Sequence, residues 1–225
     1  MPETTNGIMK QLFFIVLLCF VTPLFSQAQD ALQFKAEVDA LLAKWPPAEN
    51  QGRILFTGSS SVRLWPDLQA SFPETPVLNL GFGGSQFSDL LYYLEELVVA
   101  YQPKQVFIYE GDNDLAAEET PKAIQKEART LVKYLKKRLP DTPIVFISTK
   151  PSPSRWHLSA AYLELNEKLA RLAKRKSHID FADVWSPMML DADTVRPDLF
   201  LEDRLHMNAE GYEIWTKVIG DKLLR

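Results

Sequence analysis

The chain has 225 residues, of which 46% are hydrophobic and 24% are charged, and its net charge at pH 7 is −4. A chain of this length can bury one sizeable core, and its composition excludes a long disordered region. The slight excess of acidic residues gives no reason to expect nucleic-acid binding, which depends on basic surfaces.

Residues 1–28 form a distinct N-terminal segment. Lys10 precedes the uncharged stretch "LFFIVLLCFV" at 12–21, and small residues follow at Ser26 and Ala28. This order of a basic residue, an apolar run and small residues predicts a secretory signal peptide that is cleaved after Ala28. We therefore expect a secreted or periplasmic protein.

The mature chain, residues 29–225, is then expected to be one domain that is not bound to a membrane. The apolar run of the leader is shorter than the roughly 20 residues of a membrane span, although an uncleaved anchor is an alternative. Met9 is an alternative start to Met1. The only cysteine, Cys19, lies in the leader, so the mature protein has no thiol for a disulfide, a metal site or catalysis.

After the leader, short apolar runs alternate with segments of helical period. The apolar runs are typical of buried strands, and the periodic segments are typical of helices with one buried face. Such alternation predicts a parallel β-sheet covered by helices on both faces. In chain order the predicted elements are a helix at 34–42, strands at 54–56 and 77–80, a helix at 87–98, a strand at 106–109, a helix at 124–135, a strand at 144–147, a helix at 158–172, a strand at 179–184 and a helix at 212–219.

Two motifs follow the first two predicted strands. In "TGSSS" at 57–61, serines open a helix, whose N-terminus favours negative charge on a nucleophile, although most serines in this position only cap the helix. In "NLGFGGS" at 79–85, glycines can let a backbone N–H approach a ligand closely, or can simply form a turn. A dinucleotide-binding motif is excluded because Gln86 occupies the position of its last glycine.

The motif "YEGDND" at 109–114 follows the third predicted strand. Asn113 offers a neutral amide that can donate to an oxyanion without titrating, and an ordinary turn is the alternative. Glu110, Asp112 and Asp114 raise the question of a metal site, but no histidine or further acid cluster stands at ligand spacing. We therefore expect no metal and no cofactor.

The motif "DRLHMN" at 203–208 precedes the last predicted helix. Asp203 and His206 are three residues apart, which places them on one side of a helical or tightly turned segment. The carboxylate can then hold one ring nitrogen while the other faces outward, as the activation of a serine nucleophile requires. His157 and His178 are interpreted as surface or core residues.

Together, the four motifs resemble those of the SGNH/GDSL hydrolase family, which supply in order a serine, a glycine, an asparagine, and a paired aspartate and histidine. The resemblance spans residues 54–208. It implies that Ser60, third in "GSS" where the family has G-D-S, is the nucleophile. Ser59 replaces the family's usual aspartate, so Ser59 and Ser61 stay open as alternatives.

The other motif positions carry over in the same way. The resemblance implies that Gly84 provides a backbone N–H, and Asn113 a side-chain N–H, to an oxyanion hole that also includes the N–H of Ser60. Asp203 and His206 match the D-x-x-H pair and complete a Ser-His-Asp triad with Ser60.

The fold implied by the resemblance is an α/β, three-layer α/β/α sandwich of flavodoxin-like type with a central five-stranded parallel sheet. The implied function is ester hydrolysis by a serine esterase. Aromatic and basic residues near the motifs, and a sequence without a lid-like hydrophobic insertion, favour short acyl esters, acetyl esters of carbohydrates above all. The expected partner is a small-molecule or glycan ester, and the oligomeric state is left open. The alternatives are a lysophospholipase or thioesterase acting on lipid esters, and a non-catalytic carbohydrate-binding protein on the same fold.

Substrate specificity is expected from aromatic, basic and polar side chains close to the four motifs. The segment "KPSPSRW" at 150–156 follows the fourth predicted strand and should reach the same edge of the sheet. For the two tryptophans among these side chains, a place in the core is an alternative. The candidate substrate-binding residues are Arg63, Trp65, Gln86, Lys150, Arg155 and Trp156.

Overall fold

The computed structural model describes residues 31–224, so the predicted signal peptide at 1–28 lies outside the described residues. Five strands form one sheet in which every neighbouring pair is parallel, in the order β2-β1-β3-β4-β5. The predicted α/β fold with a five-stranded parallel sheet is confirmed. The strands are β1 (Ile54–Gly58), β2 (Val77–Gly81), β3 (Gln105–Tyr109), β4 (Ile144–Ile147) and β5 (Ile179–Ala182).

Nine α-helices accompany the sheet within residues 31–224. The predicted helix at 87–98 is divided into two short helices at Tyr93, whose backbone leaves the helical region. No helix in this part of the chain has the length and apolarity needed to cross a membrane. The helices are α1 (Lys35–Lys44), α2 (Ser60–Arg63), α3 (Leu68–Ser71), α4 (Phe87–Tyr92), α5 (Leu94–Leu97), α6 (Asp112–Ala116), α7 (Pro121–Arg138), α8 (Ser159–Lys174) and α9 (Ala209–Gly220).

Helices cover both faces of the sheet, because successive strand residues point to opposite sides and both sets are apolar. On one face, Leu55 and Ile108 belong to a core that includes residues of α4, α5, α7 and α8. On the other face, Phe56 and Phe107 stack at 4.6 Å between ring centroids in a second core that includes Trp215 of α9. The predicted three layers follow from these two cores.

The longest helix, α7, shows how local sequence sets an element. Thr120 caps it by accepting the N–H of Ala123 at 3.3 Å, and Pro121 fits the first turn because its missing N–H would have had no partner there. Its last turn carries three basic residues, which complement the helix dipole. These three consecutive basic residues, at 136–138, therefore stabilise the C-terminal end of the helix.

The chain changes direction across the sheet at β1, because β2 lies on one side of it and β3 on the other. Gly58, the last residue of β1, is in register with Gly81 and with Tyr109, so three loops leave the sheet at one level. Gly58 has φ +126°, and a Cβ at this position would lie 2.0 Å from the Tyr109 carbonyl oxygen. Only glycine therefore allows β1 and β3 to end side by side, at the switch point where such sheets bind ligands.

Candidate active site

Ser60 is the first residue of α2, directly behind the end of β1. Among the three consecutive serines, Ser59 and Ser61 are buried, with only 1% and 2% of their surfaces exposed, whereas Ser60 is half-buried. As the first residue of a helix, Ser60 also has a backbone N–H without an intrahelical acceptor. Of the three hydroxyl groups, that of Ser60 is the one open to the site.

The structure brings Ser60 together with the histidine and aspartate at the other end of the chain. Ser60 Oγ lies 3.0 Å from His206 Nε2, although the two residues are 146 positions apart. His206 Nδ1 lies 2.6 Å from Asp203 Oδ2, and Asp203 Oδ1 accepts the backbone N–H groups of Leu205 and His206 at 2.9 Å each. These contacts hold the imidazole between a hydroxyl and a carboxylate.

The Asp203 carboxylate is ionised at neutral pH. Partial burial raises its pKa. The N–H of Leu205 and the hydrogen bonds and charge of His206 lower the pKa by more than burial raises it, so that the result is about 2. A charged acceptor at Nδ1 favours the tautomer with hydrogen on that nitrogen, which leaves Nε2 free to accept a proton.

The glycine loop after β2 is held by the N-terminal helix. Gly83 has φ +39° and donates its N–H to Glu37 Oε2 at 2.9 Å, and a Cβ on Gly83 would lie 2.2 Å from Phe34 Cε1. Gly84, which comes next, is exposed, and a Cβ built on it would lie 3.7 Å from Asn113 Nδ2. The loop thus presents the Gly84 backbone beside the Asn113 amide.

Asn113 lies in the first turn of α6, just after β3. Its Nδ2 donates to the Ser85 carbonyl at 2.9 Å, and its Oδ1 accepts Nη1 and Nη2 of Arg155 at 3.1 and 3.2 Å. Gln86 Nε2 lies 3.5 Å from the Asn113 carbonyl oxygen. The predicted oxyanion donors Gly84 and Asn113 are therefore close to each other, at the edge of the sheet from which Ser60 also projects.

Asp112, next to Asn113, is the centre of a buried polar cluster that the sequence did not indicate. Its carboxylate accepts Lys150 Nζ at 3.0 Å, Tyr109 Oη at 2.8 Å, Arg155 Nη1 at 2.5 Å and the hydroxyl of Tyr162. Burial alone raises its pKa, but Lys150, Arg155 and the two hydroxyls lower it well below the usual range. The carboxylate is therefore ionised and has four side-chain donors.

Two of the candidate substrate-binding residues lie in the interior. Lys150 has a side chain with 0% exposure and binds Asp112. Trp65 is 4% exposed, donates Nε1 to Ser71 Oγ at 3.0 Å and packs against Phe56 and Trp215. Contact with a substrate does not fit either position, because neither side chain reaches the surface.

The other four candidates reach the surface to different degrees. Arg63 is exposed, with Nε 3.4 Å from Glu37 Oε1, and Gln86 is half-buried. Trp156 is half-buried and stacks on Trp185 at 6.1 Å between ring centroids. Arg155 turns its guanidinium toward Asp112 and Asn113 and keeps a side-chain exposure of 20%.

Three carboxylates have oxygen atoms within 4.8 Å of one another, and they are the one group in residues 31–224 whose spacing could hold a metal ion. They belong to Asp114, Glu119 and Glu127, so Asp114 alone comes from the acids that the motif "YEGDND" singled out. Burial raises the pKa of Asp114 and of Glu127 to about 7, and it also raises the pKa of Glu119. Asp114 and Glu127 are therefore only partly ionised near neutral pH.

Comparison with known proteins gives a family and a fold. The model of the GDSL-like lipase/acylhydrolase family matches residues 41–214. No curated protein sequence matches the chain.

Several solved structures are similar over most of the chain. A Streptococcus pneumonia protein described as a platelet activating factor has a TM-score of 0.73 and 20% identity, covering 90% of this chain and 100% of its own. A GDSL-like lipase from Bacteroides thetaiotaomicron has a TM-score of 0.67 and 21% identity, covering 87% and 97%. An acetylxylan esterase from Geobacillus stearothermophilus has a TM-score of 0.62 and 18% identity, covering 77% and 94%. At these identities the likeness shows a shared fold.

Proposed function

The chain belongs to the GDSL-like lipase/acylhydrolase family and is a carboxylic ester hydrolase, and we propose that it is a serine esterase with Ser60 as nucleophile. In this proposal His206 is the general base, Asp203 orients it, and Asn113 and Gly84 belong to the oxyanion hole. The observation that carries the proposal is the 3.0 Å separation of Ser60 Oγ and His206 Nε2. A hydroxyl within hydrogen-bond reach of an imidazole that a carboxylate orients is the arrangement that serine activation requires.

Acylation of the enzyme begins when His206 Nε2 takes the proton of Ser60 Oγ and Oγ forms a bond to the ester carbonyl carbon. The carbonyl π electrons move to oxygen, and the resulting oxyanion accepts N–H groups from Ser60, Gly84 and Asn113. The protonated His206, stabilised by Asp203, then gives its proton to the alcohol oxygen as the C–O bond breaks. The alcohol leaves and the acyl group stays on Ser60.

Deacylation repeats these steps with water. His206 takes a proton from the water molecule, the water oxygen attacks the acyl carbonyl, and the same donors hold the second oxyanion. Collapse of this intermediate breaks the bond to Ser60 Oγ, which regains its proton from His206, and releases the carboxylic acid.

For the substrate, we favour short acyl esters of carbohydrates, with acetyl as the acyl group. Support comes from the acetylxylan esterase among the structurally similar proteins, and from the elements of residues 31–224, which include no long apolar insertion that would form a lid over a lipid chain. A comparison of nitrophenyl acetate with longer nitrophenyl esters tests this choice. A rate that rises steadily with acyl length would favour a lysophospholipase or thioesterase instead.

Labelling with a fluorophosphonate tests the nucleophile directly. We expect one adduct, mapped by mass spectrometry to Ser60, and we expect Ser60→Ala to abolish labelling and lower kcat at least about 10⁴-fold. Ser61→Ala is the matched control, because Ser61 is the adjacent hydroxyl but is buried, and it should label normally. An adduct on Ser59 or Ser61 would contradict the assignment. Glycan binding without ester hydrolysis, unchanged in Ser60→Ala, would indicate a non-catalytic binding protein.

A further inference from the structure

The Asn113 side-chain amide is held at both of its ends. Nδ2 donates to the Ser85 carbonyl at 2.9 Å, while Oδ1 accepts two N–H groups of Arg155 at 3.1 and 3.2 Å. In the reversed orientation, the amide NH₂ would face the guanidinium donors and the amide oxygen would face the Ser85 carbonyl. Arg155 and Ser85 therefore select one orientation, in which Nδ2 has a second hydrogen that the Ser85 bond does not use.

Arg155 is itself fixed before any substrate binds. Its Nη1 lies 2.5 Å from Asp112 Oδ1 and 3.2 Å from the Asp112 carbonyl oxygen. Asp112 is held in turn by Lys150 and by the hydroxyls of Tyr109 and Tyr162. Because the carboxylate has partners on both oxygens, it is a rigid anchor for the guanidinium. The planar guanidinium can bind this carboxylate and the side-chain oxygen Oδ1 of Asn113 at the same time.

The same cluster places positive charge beside Asn113. One carboxylate, that of Asp112, faces two cations, Lys150 and Arg155. The surplus positive charge lies on the side of the amide carbonyl, where it polarises the amide and makes Nδ2–H a stronger donor. Such fixed charges stabilise an oxyanion without rearrangement during the reaction.

We propose that Arg155 is a positioning residue for the reaction described above: it fixes the orientation of the Asn113 amide and raises its strength as an oxyanion donor. It acts through Asn113 and not by touching the substrate, unlike the substrate contact that the sequence suggested. The inference rests on the proposed function for its catalytic consequence. Its geometric part, that Arg155 orients the Asn113 amide, stands apart from turnover and can be measured separately.

A double-mutant cycle tests the catalytic part. Arg155→Met removes the donors and leaves Asp112 with Lys150 and the tyrosines. We expect kcat for nitrophenyl acetate to fall about 10- to 100-fold, with KM within about twofold, because an outer partner contributes less than the roughly 10²- to 10³-fold of a direct oxyanion donor. In an Asn113→Ala background the same change should lower kcat less than about threefold, since the group it positions is absent.

Nuclear magnetic resonance tests the geometric part without turnover. The two side-chain amide protons of Asn113, assigned by their loss in Asn113→Ala, should shift in Arg155→Met but stay unchanged in Arg171→Met. Arg171 is a matched control because it is exposed on α8, where it pairs with Glu167. Melting temperatures establish that the variants are folded. Arg155→Lys, which keeps a cation for Asp112 without the planar fork, is the second variant and should lower kcat in the same direction.

Specific results would overturn the proposal. An equal loss of kcat in the wild-type and Asn113→Ala backgrounds would mean that Arg155 acts independently of Asn113. A rise in KM with unchanged kcat would identify Arg155 as a substrate contact. Unchanged Asn113 amide resonances in Arg155→Met would refute the geometric part. If Ser60→Ala kept full activity, the proposed function would fail, while the resonances would still decide the orientation of Asn113.

Discussion

Replacement of Asp112 by asparagine should be among the most destabilising single changes in this protein. Asp112 is 4% exposed, and it is the anion shared by Lys150 and Arg155. Asp112→Asn removes the negative charge and leaves two cations facing each other, one of them on a side chain with 0% exposure. Removal of one partner of a buried ion pair costs about 3–5 kcal/mol of unfolding free energy.

Lys150→Met gives the matched comparison. Methionine fills the space of the lysine stem, and the Asp112 carboxylate keeps Arg155, Tyr109 and Tyr162, so one anion then faces one cation. We expect this variant to lose no more than about 1.5–3 kcal/mol, the worth of a hydrogen bond to a charged group. The double variant Asp112→Asn/Lys150→Met should be more stable than Asp112→Asn alone, because it removes the more deeply buried of the two unpaired cations.

Thermal and urea unfolding at pH 7 measure these differences. For a chain of this size, each kcal/mol shifts Tm by about 2–4 °C, so Asp112→Asn should lower Tm by roughly 6–20 °C. The pKa of Asp112 is lower in the folded than in the unfolded state, so its contribution to stability is present above the unfolded pKa and is lost as pH falls through the folded pKa. The difference between wild type and Asp112→Asn should therefore shrink below about pH 4. A loss under about 1 kcal/mol for Asp112→Asn at pH 7, or an equal loss for Lys150→Met, would refute the reasoning.

Two further predictions concern other parts of the chain. Burial raises the pKa of Glu127 to about 7, above its unfolded value, so the folded state binds the extra proton below that pH and loses stability as pH rises toward 7. Glu127→Gln should therefore raise Tm more at pH 8 than at pH 5. The exposed control Glu213→Gln should show no such difference. Gly83→Ala should lower Tm strongly, because its Cβ would lie 2.2 Å from Phe34 Cε1, and in a Phe34→Ala background it should cost only the roughly 1 kcal/mol of a left-handed alanine. Equal costs in the two backgrounds, measured by thermal unfolding, would contradict that clash.

The sequence predicted the sheet well because β1, β3 and β4 are buried on both faces, and β2 is nearly so. A continuous apolar run such as "VFIY" leaves few alternatives to a central strand, and β3 spans Gln105–Tyr109 around it. The helix predicted at 87–98 was less accurate, since apolar spacing carries no signal for a break at Tyr93. The hydrophobic period describes which face is buried, and it does not describe whether the backbone is continuous.

The four motifs could be found because each follows a strand or precedes a helix, and their shared edge follows from the parallel topology. The roles of the flanking side chains could not be found in the same way. Lys150 and Arg155 were both assigned to the substrate because they follow β4, yet Lys150 points into the interior and binds Asp112. That pairing joins residues 38 positions apart through side-chain geometry alone, which no local pattern encodes.

In the segment "EGDND", the sequence likewise does not reveal the pKa values of the three acids. Glu110, Asp112 and Asp114 are all buried, and burial raises the pKa of a carboxyl group wherever nothing opposes it. Glu110 bonds to the hydroxyl of Ser85, and its pKa stays well above the usual range. Asp114 accepts backbone N–H groups of Phe87 and Gly111, which lower its pKa, but burial and the nearby charge of Glu119 raise the pKa to about 7. Asp112 alone has cations as partners, and its pKa is lowered.

The raised pKa values of Glu110 and Asp114 and the lowered pKa of Asp112 matter for the neighbouring Asn113. If Glu110 and Asp114 were both fully ionised, they would place negative charge close to the amide that is proposed to receive an oxyanion, and would oppose the charge that develops there. Burial raises the pKa of both acids, to about 7 for Asp114, and so weakens that opposition, while Arg155 contributes positive charge on the carbonyl side of the amide. Three acids within five residues therefore leave a site that favours a developing anion, because burial and partners, and not residue type, set the pKa of each.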